Sequence, residues 1–587
     1  MPRSSQSPHK TRWHIDRAQV VMGFFVVIGL IFSARLFTIQ AIKADDYRAL
    51  ADQEQLKKFS IPASRGEIYL NDGNNGPAPL VLNEPVYTIY ADPQYVGDGT
   101  QETLRQLHTV LENPNDDIAK KLAKKSSRYE VLQQNVSLTE KKAIEDKQLK
   151  GIGAIKDTRR VYPEGTLAAQ TVGFVNQNGD GQYGIEQILN KELAGTAGKL
   201  SGATDVRGVP IATENNVSQP AANGKDVLLS LDRPIQAQVE SALIRAVQRN
   251  NADSASAVVV DVHNGHILAM ANAPTFDPSK YKQVQNDRLF QNSVVTSAYE
   301  PGSVIKVFSM ATGLESGAIT PEHEYFDSWC VTIDTYKVCN AGKNPKKQNL
   351  SMTEVITNSA NTGAIHVLEQ LGGGNINARA KQKLYEDFAN KYHFGQLRGV
   401  EQTGETKGYL APAKGSSDIR YANMTFGQGI STSMLQVASS TAALINGGTL
   451  YQPTLVDTVT DTHGKKKKQI PKILQSNVVS KKTSDEIKTM MLTVTEKGSG
   501  YHARREGFKI GAKTGTAEIA NPSGGYYKGK YNGSMIGFSG INDPKYVIMV
   551  RVENPRIEGY AGPDAAGPLF ADINNWLIDY YGLQPGE

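Results

Sequence analysis

Residues 299–317 read YEPGSVIKVFSMATGLESG. Pro301 and Gly302 interrupt the chain, and beyond them Val304, Val307, Phe308, Ala311 and Leu314 recur at helical spacing. This predicts a largely apolar helix with Ser303 in its first turn. Lys306 stands one turn further on, and residues three apart share a helix face, so its amine falls within reach of the Ser303 hydroxyl. It is the only charged residue between Ser303 and Leu314. Burial in such surroundings disfavours the ammonium form and moves the amine toward base chemistry, while N–H groups at the helix start point toward developing negative charge. Taken alone, the same residues read equally as an N-capping serine beside a solvated lysine. Ser-x-x-Lys also occurs from Ser7 to Lys10 and from Ser279 to Lys282, neither followed by an apolar helical pattern.

Two later segments change the reading. Ser359, Ala360 and Asn361 form a Ser-x-Asn within EVITNSANTGAIHV, and Lys513, Thr514, Gly515 and Thr516 form a Lys-Thr-Gly-Thr within the strand-like GFKIGAKTGTAE. Each has a plain explanation by itself: a helix cap, strand preference, an edge charge. In this order, and each in suitable local structure, they make up the active-site set of serine acyl-transfer enzymes that bind penicillins. There is no HExxH, no GxSxG and no His, Asp and Glu cluster at ligand spacing, so neither a metal nor a cofactor is expected.

The rest of the chain accommodates such a site. Its 587 residues, 39% hydrophobic and 21% charged, predict two or three domains. Sixty-four Lys plus Arg against 59 Asp plus Glu leave a charge of only +5, which argues against nucleic acid as a partner. Two cysteines exclude a disulfide scaffold and a four-cysteine metal site. From Ala18 to Ala34 the chain reads AQVVMGFFVVIGLIFSA without a charge, and Leu36 to Ile42 extend the apolar run. We expect a retained single-pass membrane anchor over 18–42 rather than a cleaved signal, because small-x-small cleavage sites after the run are poor. Arg3, Lys10, Arg12 and Arg17 precede it, Trp13 suits the headgroup level, and Asp45 and Asp46 follow. The positive-inside rule then puts residues 1–17 in the cytoplasm and the bulk of the chain outside.

Residues 43–225 read as a mixed α/β connector. Its charged segments KKLAKKSSR and TEKKAIEDK are expected to be solvated helices, and IEQILNKEL is a short helical pattern among turns. The composition changes near Asp226. A strand, VLLSLD, leads into the helix PIQAQVESALIRAV with Pro234 in its first turn. SAVVVDV and ILAMAN follow as a hairpin around Asn264 and Gly265. GFKIGAKTGTAE, GSMIGFSGI and YVIMVRVEN are three further strands before a helix from Leu569 to Tyr581. This is an α+β arrangement, with a mainly antiparallel sheet flanked by helices over 226–587.

With these motifs the whole chain resembles the class B penicillin-binding proteins, and among them the septal FtsI type. Arg65, Gly66, Glu67 and Ile68 match the family's Arg-Gly-x-Ile signature, and Gly184, Ile185 and Glu186 its Gly-Ile-Glu connector. RLFQNSVVTSAYEPGSVIK, FGQGISTSMLQ from Phe426, and GAKTGTAE match further. A surface ion pair or a helix-end charge would explain Arg65 and Glu186, to which we assign structure and not catalysis. The resemblance implies an elongated pedestal of the dimerisation type over 43–225 and a transpeptidase domain over 226–587. It makes Ser303 the nucleophile acylated by the penultimate D-alanine of a pentapeptide stem and Lys306 its base. Ser359 is expected to pass a proton to the leaving group and Asn361 to hold the substrate amide and Lys306. Lys513, Thr514 and Thr516 would bind the terminal carboxylate, Gly515 would allow close approach of backbone and substrate, and the N–H groups of Ser303 and Thr516 would form the oxyanion hole. The implied partners are peptidoglycan stem peptides on a lipid-linked precursor, a SEDS-type glycan polymerase with other division proteins, and β-lactams that imitate D-Ala-D-Ala. The implied location is the bacterial cytoplasmic membrane at the septum.

An elongation-type transpeptidase, a β-lactamase, and a non-catalytic β-lactam sensor or scaffold are the competing readings. A secreted lactamase needs neither anchor nor connector, and the intact Ser303, Lys306, Ser359, Asn361 and Lys513 argue against a scaffold. Cys330 and Cys339 flank VTIDTYKV, a strand-like segment whose two thiols could pair or stay free. Lys465 to Lys468 are expected to decorate an exposed loop.

Overall fold

A computed structural model describes residues 17–44, 57–202, 217–342, 344–521 and 523–586. The expected cytoplasmic tail with Arg3, Lys10, Arg12 and Trp13, and the acidic pair Asp45 and Asp46, lie outside these residues. The chain divides into two compact units: residues 1–62, 86–157 and 197–221 in one, and 63–85, 158–196 and 222–587 in the other.

The first unit contains the apolar helix Arg17–Phe37, continued by a π-turn Thr38–Ile42. Val20–Ile42 is 23 residues long and strongly apolar, with Arg35 its one charged residue and Phe24, Phe25, Leu30 and Phe32 exposed. At about 1.5 Å per residue this is long enough to cross a bilayer core. The unit has its own small core, Ile89, Leu107, Ile118, Leu122, Leu132 and Ile144, drawn from strands and short helices. The charged segments are only partly helical. Leu138–Asp146 is a helix with a capping box between Ser137 and Glu140, whereas Ile118–Leu122 covers just the start of the other segment. A strand, Glu130–Val136, lies between them and buries Leu132 and Val136, four apart and hence on one face.

The second unit is built on a five-stranded antiparallel sheet. Its strands are β1 (Ser254–Asp261), β2 (Ile267–Ala273), β3 (Ile510–Ala520), β4 (Tyr526–Ser539) and β5 (Tyr546–Glu553), in the order β2-β1-β5-β4-β3. The expected hairpin pairs Ala255 with Ala273 and Ala257 with Ala271. Alternation then sends successive residues of β1 to opposite faces. Ala257 and Val259 join one core with Ile235, Val239 and Leu243 of α1 (Arg233–Asn250) and Phe570 and Ile573 of a C-terminal helix. Val258 and Val260 join the other core with residues of the helices that carry the site motifs. Both faces of the sheet are therefore covered, and β3 is left at one edge.

Several local expectations are corrected. Ser303 lies on a 3-10 turn, Gly302–Ile305, and the α-helix α2 (Lys306–Glu315) begins only at the lysine. The segment VTIDTYKV is not one strand but two, Cys330–Ile333 and Tyr336–Cys339, folded as a hairpin and closed by a Cys330–Cys339 disulfide. The lysine run is a short exposed strand, Lys466–Lys468, paired with Val456–Thr460, rather than a loop. Arg65 and Glu186 form no surface pair. Glu186 is 0% exposed and accepts from Arg65 Nε at 2.7 Å and from Arg160 Nε at 2.8 Å. The next residue, Gly66, packs directly on the Lys225 backbone, where a Cβ would stand 1.8 Å from the Lys225 carbonyl oxygen.

Candidate active site

The three motifs converge. Ser303 and Lys306 are three apart across the 3-10 turn, in which residues at that spacing eclipse one another. Ser359 ends α3 (Met352–Asn358) as a left-handed residue at φ 57°, and two residues later α4 (Asn361–Leu371) begins, so the reversal turns both polar side chains toward Lys306. Ser351 starts α3 with a capping box to Glu354, which fixes where the helix begins, and the left-handed Ser359, its N–H turned back to the Ile356 carbonyl, ends it. The Lys306 Nζ donates to the Ser359 carbonyl at 2.5 Å, to Asn361 Oδ1 at 2.8 Å and to Ser359 Oγ at 3.2 Å. From the edge strand β3, Lys513 Nζ donates to the same Ser359 Oγ at 2.9 Å and to the Thr514 carbonyl at 2.9 Å.

Both lysines are buried, Lys306 at 1% exposure and Lys513 at 0%. Burial, and then the charge of Lys513, hold the Lys306 ammonium well below its ordinary range. Burial alone brings Lys513 down to about 7. Both effects favour the neutral amine of Lys306 over its ammonium form. Lys513 can be protonated near pH 7, and a bound carboxylate would favour its charged form.

Close backbone contacts lock the turn that carries Ser303 against β3. Gly302 has φ +62°, and a Cβ on it would lie 2.8 Å from the Thr516 carbonyl oxygen. A Cβ on Gly515 would meet Ser534 Oγ at 2.6 Å and the Pro301 carbonyl at 2.8 Å. The room this glycine spares on its Cβ side is filled by Ser534 and by the turn before Ser303. The Thr516 hydroxyl oxygen accepts from the Gly562 N–H at 3.0 Å, which leaves its own hydrogen to donate, and Thr514 Oγ1 and Ser499 Oγ are 2.6 Å apart.

Four supporting groups escaped the motif reading: Gly562, Ser499, the Cys339 carbonyl that accepts from Asn361 Nδ2 at 2.9 Å, and Glu300. Glu300 accepts from the Gly429 N–H and the Tyr526 hydroxyl, both at 2.8 Å, and ties the FGQGIS segment and β4 to the nucleophile turn. Only the position of Glu300, three residues before Ser303, offered a signal in the sequence. No group of three or more His, Cys, Asp and Glu suited to a metal occurs among the described residues.

Residues 255–575 match the family model of the penicillin binding protein transpeptidase domain, and residues 60–229 that of the penicillin-binding protein dimerisation domain. The chain is 30% identical over 574 residues to stage V sporulation protein D of Bacillus subtilis, covering 97% of this chain and 86% of that protein. It is 27% identical to the peptidoglycan D,D-transpeptidase FtsI of Buchnera aphidicola, covering 97% and 95%. Among solved structures it is similar to penicillin binding protein 3 of Mycobacterium tuberculosis complexed with aztreonam, with a TM-score of 0.68, 26% identity and coverage of 90% of this chain and 98% of that one.

Proposed function

The chain belongs to the class B penicillin-binding proteins, the serine-type D,D-transpeptidases of peptidoglycan, and from that membership we propose that it cross-links septal cell wall through an acyl-enzyme on Ser303. The observation that carries the reading is Lys306, buried and held by Ser359 and Asn361 one turn beyond the Ser303 hydroxyl.

Lys306 takes the Ser303 proton as Oγ attacks the penultimate D-alanyl carbonyl. The N–H groups of Ser303 and Thr516 hold the oxyanion, each worth roughly 3–4 kcal/mol in comparable acyl-transfer sites. The C–N bond to the terminal D-alanine breaks, and its nitrogen leaves with a proton delivered through Ser359. An amine of a second stem then attacks the ester, forms the new amide and returns the proton to Ser303. Lys513, with the hydroxyls of Thr514 and Thr516, grips the terminal carboxylate as a cation flanked by small donors. β-Lactams enter by the same route and leave Ser303 acylated.

The organisation proposed is a cytoplasmic tail over 1–17, an anchor over 18–42, a pedestal over 43–225 and the transpeptidase domain over 226–587, with the bulk outside the cytoplasmic membrane. A SEDS-type glycan polymerase supplies the strands.

The test combines the purified full chain with such a polymerase and lipid-linked pentapeptide. Cross-linked product that disappears with Ser303→Ala supports the reading. Penicillin uptake at Ser303 without any cross-links overturns it in favour of a sensor. A tagged copy that spreads along the side wall instead of gathering at mid-cell overturns the septal role.

A further inference from the structure

The amide of Asn361 makes one hydrogen bond in each direction. Its Nδ2 donates to the Cys339 main-chain carbonyl at 2.9 Å, and its Oδ1 accepts from Lys306 Nζ at 2.8 Å. A carbonyl can only accept, so Cys339 takes the amide nitrogen and turns the amide oxygen toward the lysine. This orientation matters for a base. A neutral amine has two hydrogens and one lone pair. In the neutral form that a base requires, its two hydrogens go to the closer acceptors, the Ser359 carbonyl and Asn361 Oδ1, ahead of Ser359 Oγ at 3.2 Å, and the lone pair is left for a proton from the Ser303 turn. A reversed amide would donate an N–H into that lone pair and block it.

The Cys339 carbonyl is itself held in place. It ends the disulfide-closed hairpin, and the next residue, Asn340, joins a buried network on the first turn of α4. Asn340 Oδ1 accepts from the Thr362 N–H at 3.0 Å, the Thr362 hydroxyl oxygen lies 3.0 Å from that same atom and from the Tyr325 hydroxyl, and Asn340 Nδ2 donates to Asp327 Oδ2 at 2.8 Å. Asp327 Oδ1 accepts from the Thr362 hydroxyl at 2.8 Å and from the Trp329 N–H at 2.9 Å, which anchors the other end of the hairpin. Asp327 and Thr362 are each 2% exposed. Asp327 also ends the strand Glu324–Asp327, which pairs with Gln348–Ser351, the strand that leads into α3 and Ser359. One network therefore registers both arms that hold Lys306.

We propose that Asp327, Asn340 and Thr362 are positioning residues which, through the Cys339 carbonyl, set the orientation of the Asn361 amide and keep the Lys306 lone pair directed at Ser303. The proposal rests on the reading of Lys306 as the base. The charged group facing Lys306 is Lys513, which reaches it through Ser359 and lies outside this network, and Asp327 reaches Lys306 only through neutral groups.

The experiment measures acylation of the full chain by a fluorescent penicillin across pH, counted per folded molecule, for the wild type, Thr362→Val and Thr362→Ser. Valine keeps the volume of threonine and removes the hydroxyl, whereas serine keeps the hydroxyl. Thr362→Val is expected to lower the plateau rate roughly tenfold or more and to move the acid limb to lower pH, because an amide N–H on the lone pair favours the neutral amine. Thr362→Ser restores the wild-type profile. Asn340→Ala, at a half-buried hairpin end, is the second variant should Thr362→Val fail to fold, and the same lowered and displaced profile is expected. Wild-type plateau and limb in a folded Thr362→Val or Asn340→Ala protein would overturn the inference alone. Absence of acylation at Ser303 in the wild type would overturn the functional reading beneath it.

Discussion

Lys306 and Lys513, on different elements and 207 positions apart in the chain, meet on one hydroxyl: their amine nitrogens lie 3.2 and 2.9 Å from Ser359 Oγ. Two buried amines this close cannot both stay charged at low cost, so the site separates their protonation states. Lys306 is pushed down by burial and by its neighbour, which suits it to the base role in the proposed reaction. Lys513, lowered by burial alone, keeps a proton near pH 7 for a carboxylate. Ser359 sits between them, where a proton can pass from the cationic side toward a leaving group.

A bell-shaped pH profile of acylation follows. The rising limb reports loss of the proton from Lys306, well below the usual lysine range, and the falling limb reports loss of the cation at Lys513 above about pH 7, moved upward when a carboxylate is bound. Because the two groups are coupled, the limbs belong to the pair. Stopped-flow acylation by a penicillin from pH 5 to 10 reads both, and a rate that climbs without a falling limb would remove Lys513 from carboxylate binding.

Ser303→Ala should abolish penicillin labelling and leave the thermal transition nearly unchanged, within about 1 kcal/mol, since a hydroxyl at a helix start contributes little to stability yet supplies the whole nucleophile. Labelling of the variant, read by gel fluorescence, would move the nucleophile elsewhere.

Lys513→Met should raise stability while destroying acylation. The folded pKa of Lys513, about 7, lies below the ordinary lysine value, so the unfolded chain binds the extra proton. The burden of burying that charge is full below pH 7, on the order of 3–5 kcal/mol, and fades as pH rises toward about 10. The gain from methionine should therefore be largest at neutral and acid pH and small near pH 10. Denaturant melts at several pH values test this, and a gain that does not vary with pH would show that Lys513 carries no buried charge.

Glu186→Ala should destabilise the chain by roughly 3–5 kcal/mol, because it leaves the Arg65 and Arg160 guanidiniums without the carboxylate that neutralises them in a buried setting. Chemical denaturation monitors the loss. A change below about 1 kcal/mol would return this cluster to the rank of a surface ion pair.

Local pattern along the chain carried much of the architecture and pointed to the candidate site. Ser303, Lys306, Ser359, Asn361 and Lys513 were legible because each motif imposes a local spacing, and so were the strands that became β1 to β5, through runs of Val, Ile and Ala whose period and turn residues act over a few positions. Only the tertiary structure decided what depends on distant contact. The disulfide that folds VTIDTYKV back spans only nine positions, but the burial of Glu186 against Arg65, 121 positions away, the packing of Pro301 on Gly515 and the bond from Asn361 to the Cys339 carbonyl arise between separate elements. Hydrogen bonds and packing across such separations depend on where whole elements come to rest, and a pattern read along the chain carries no record of that.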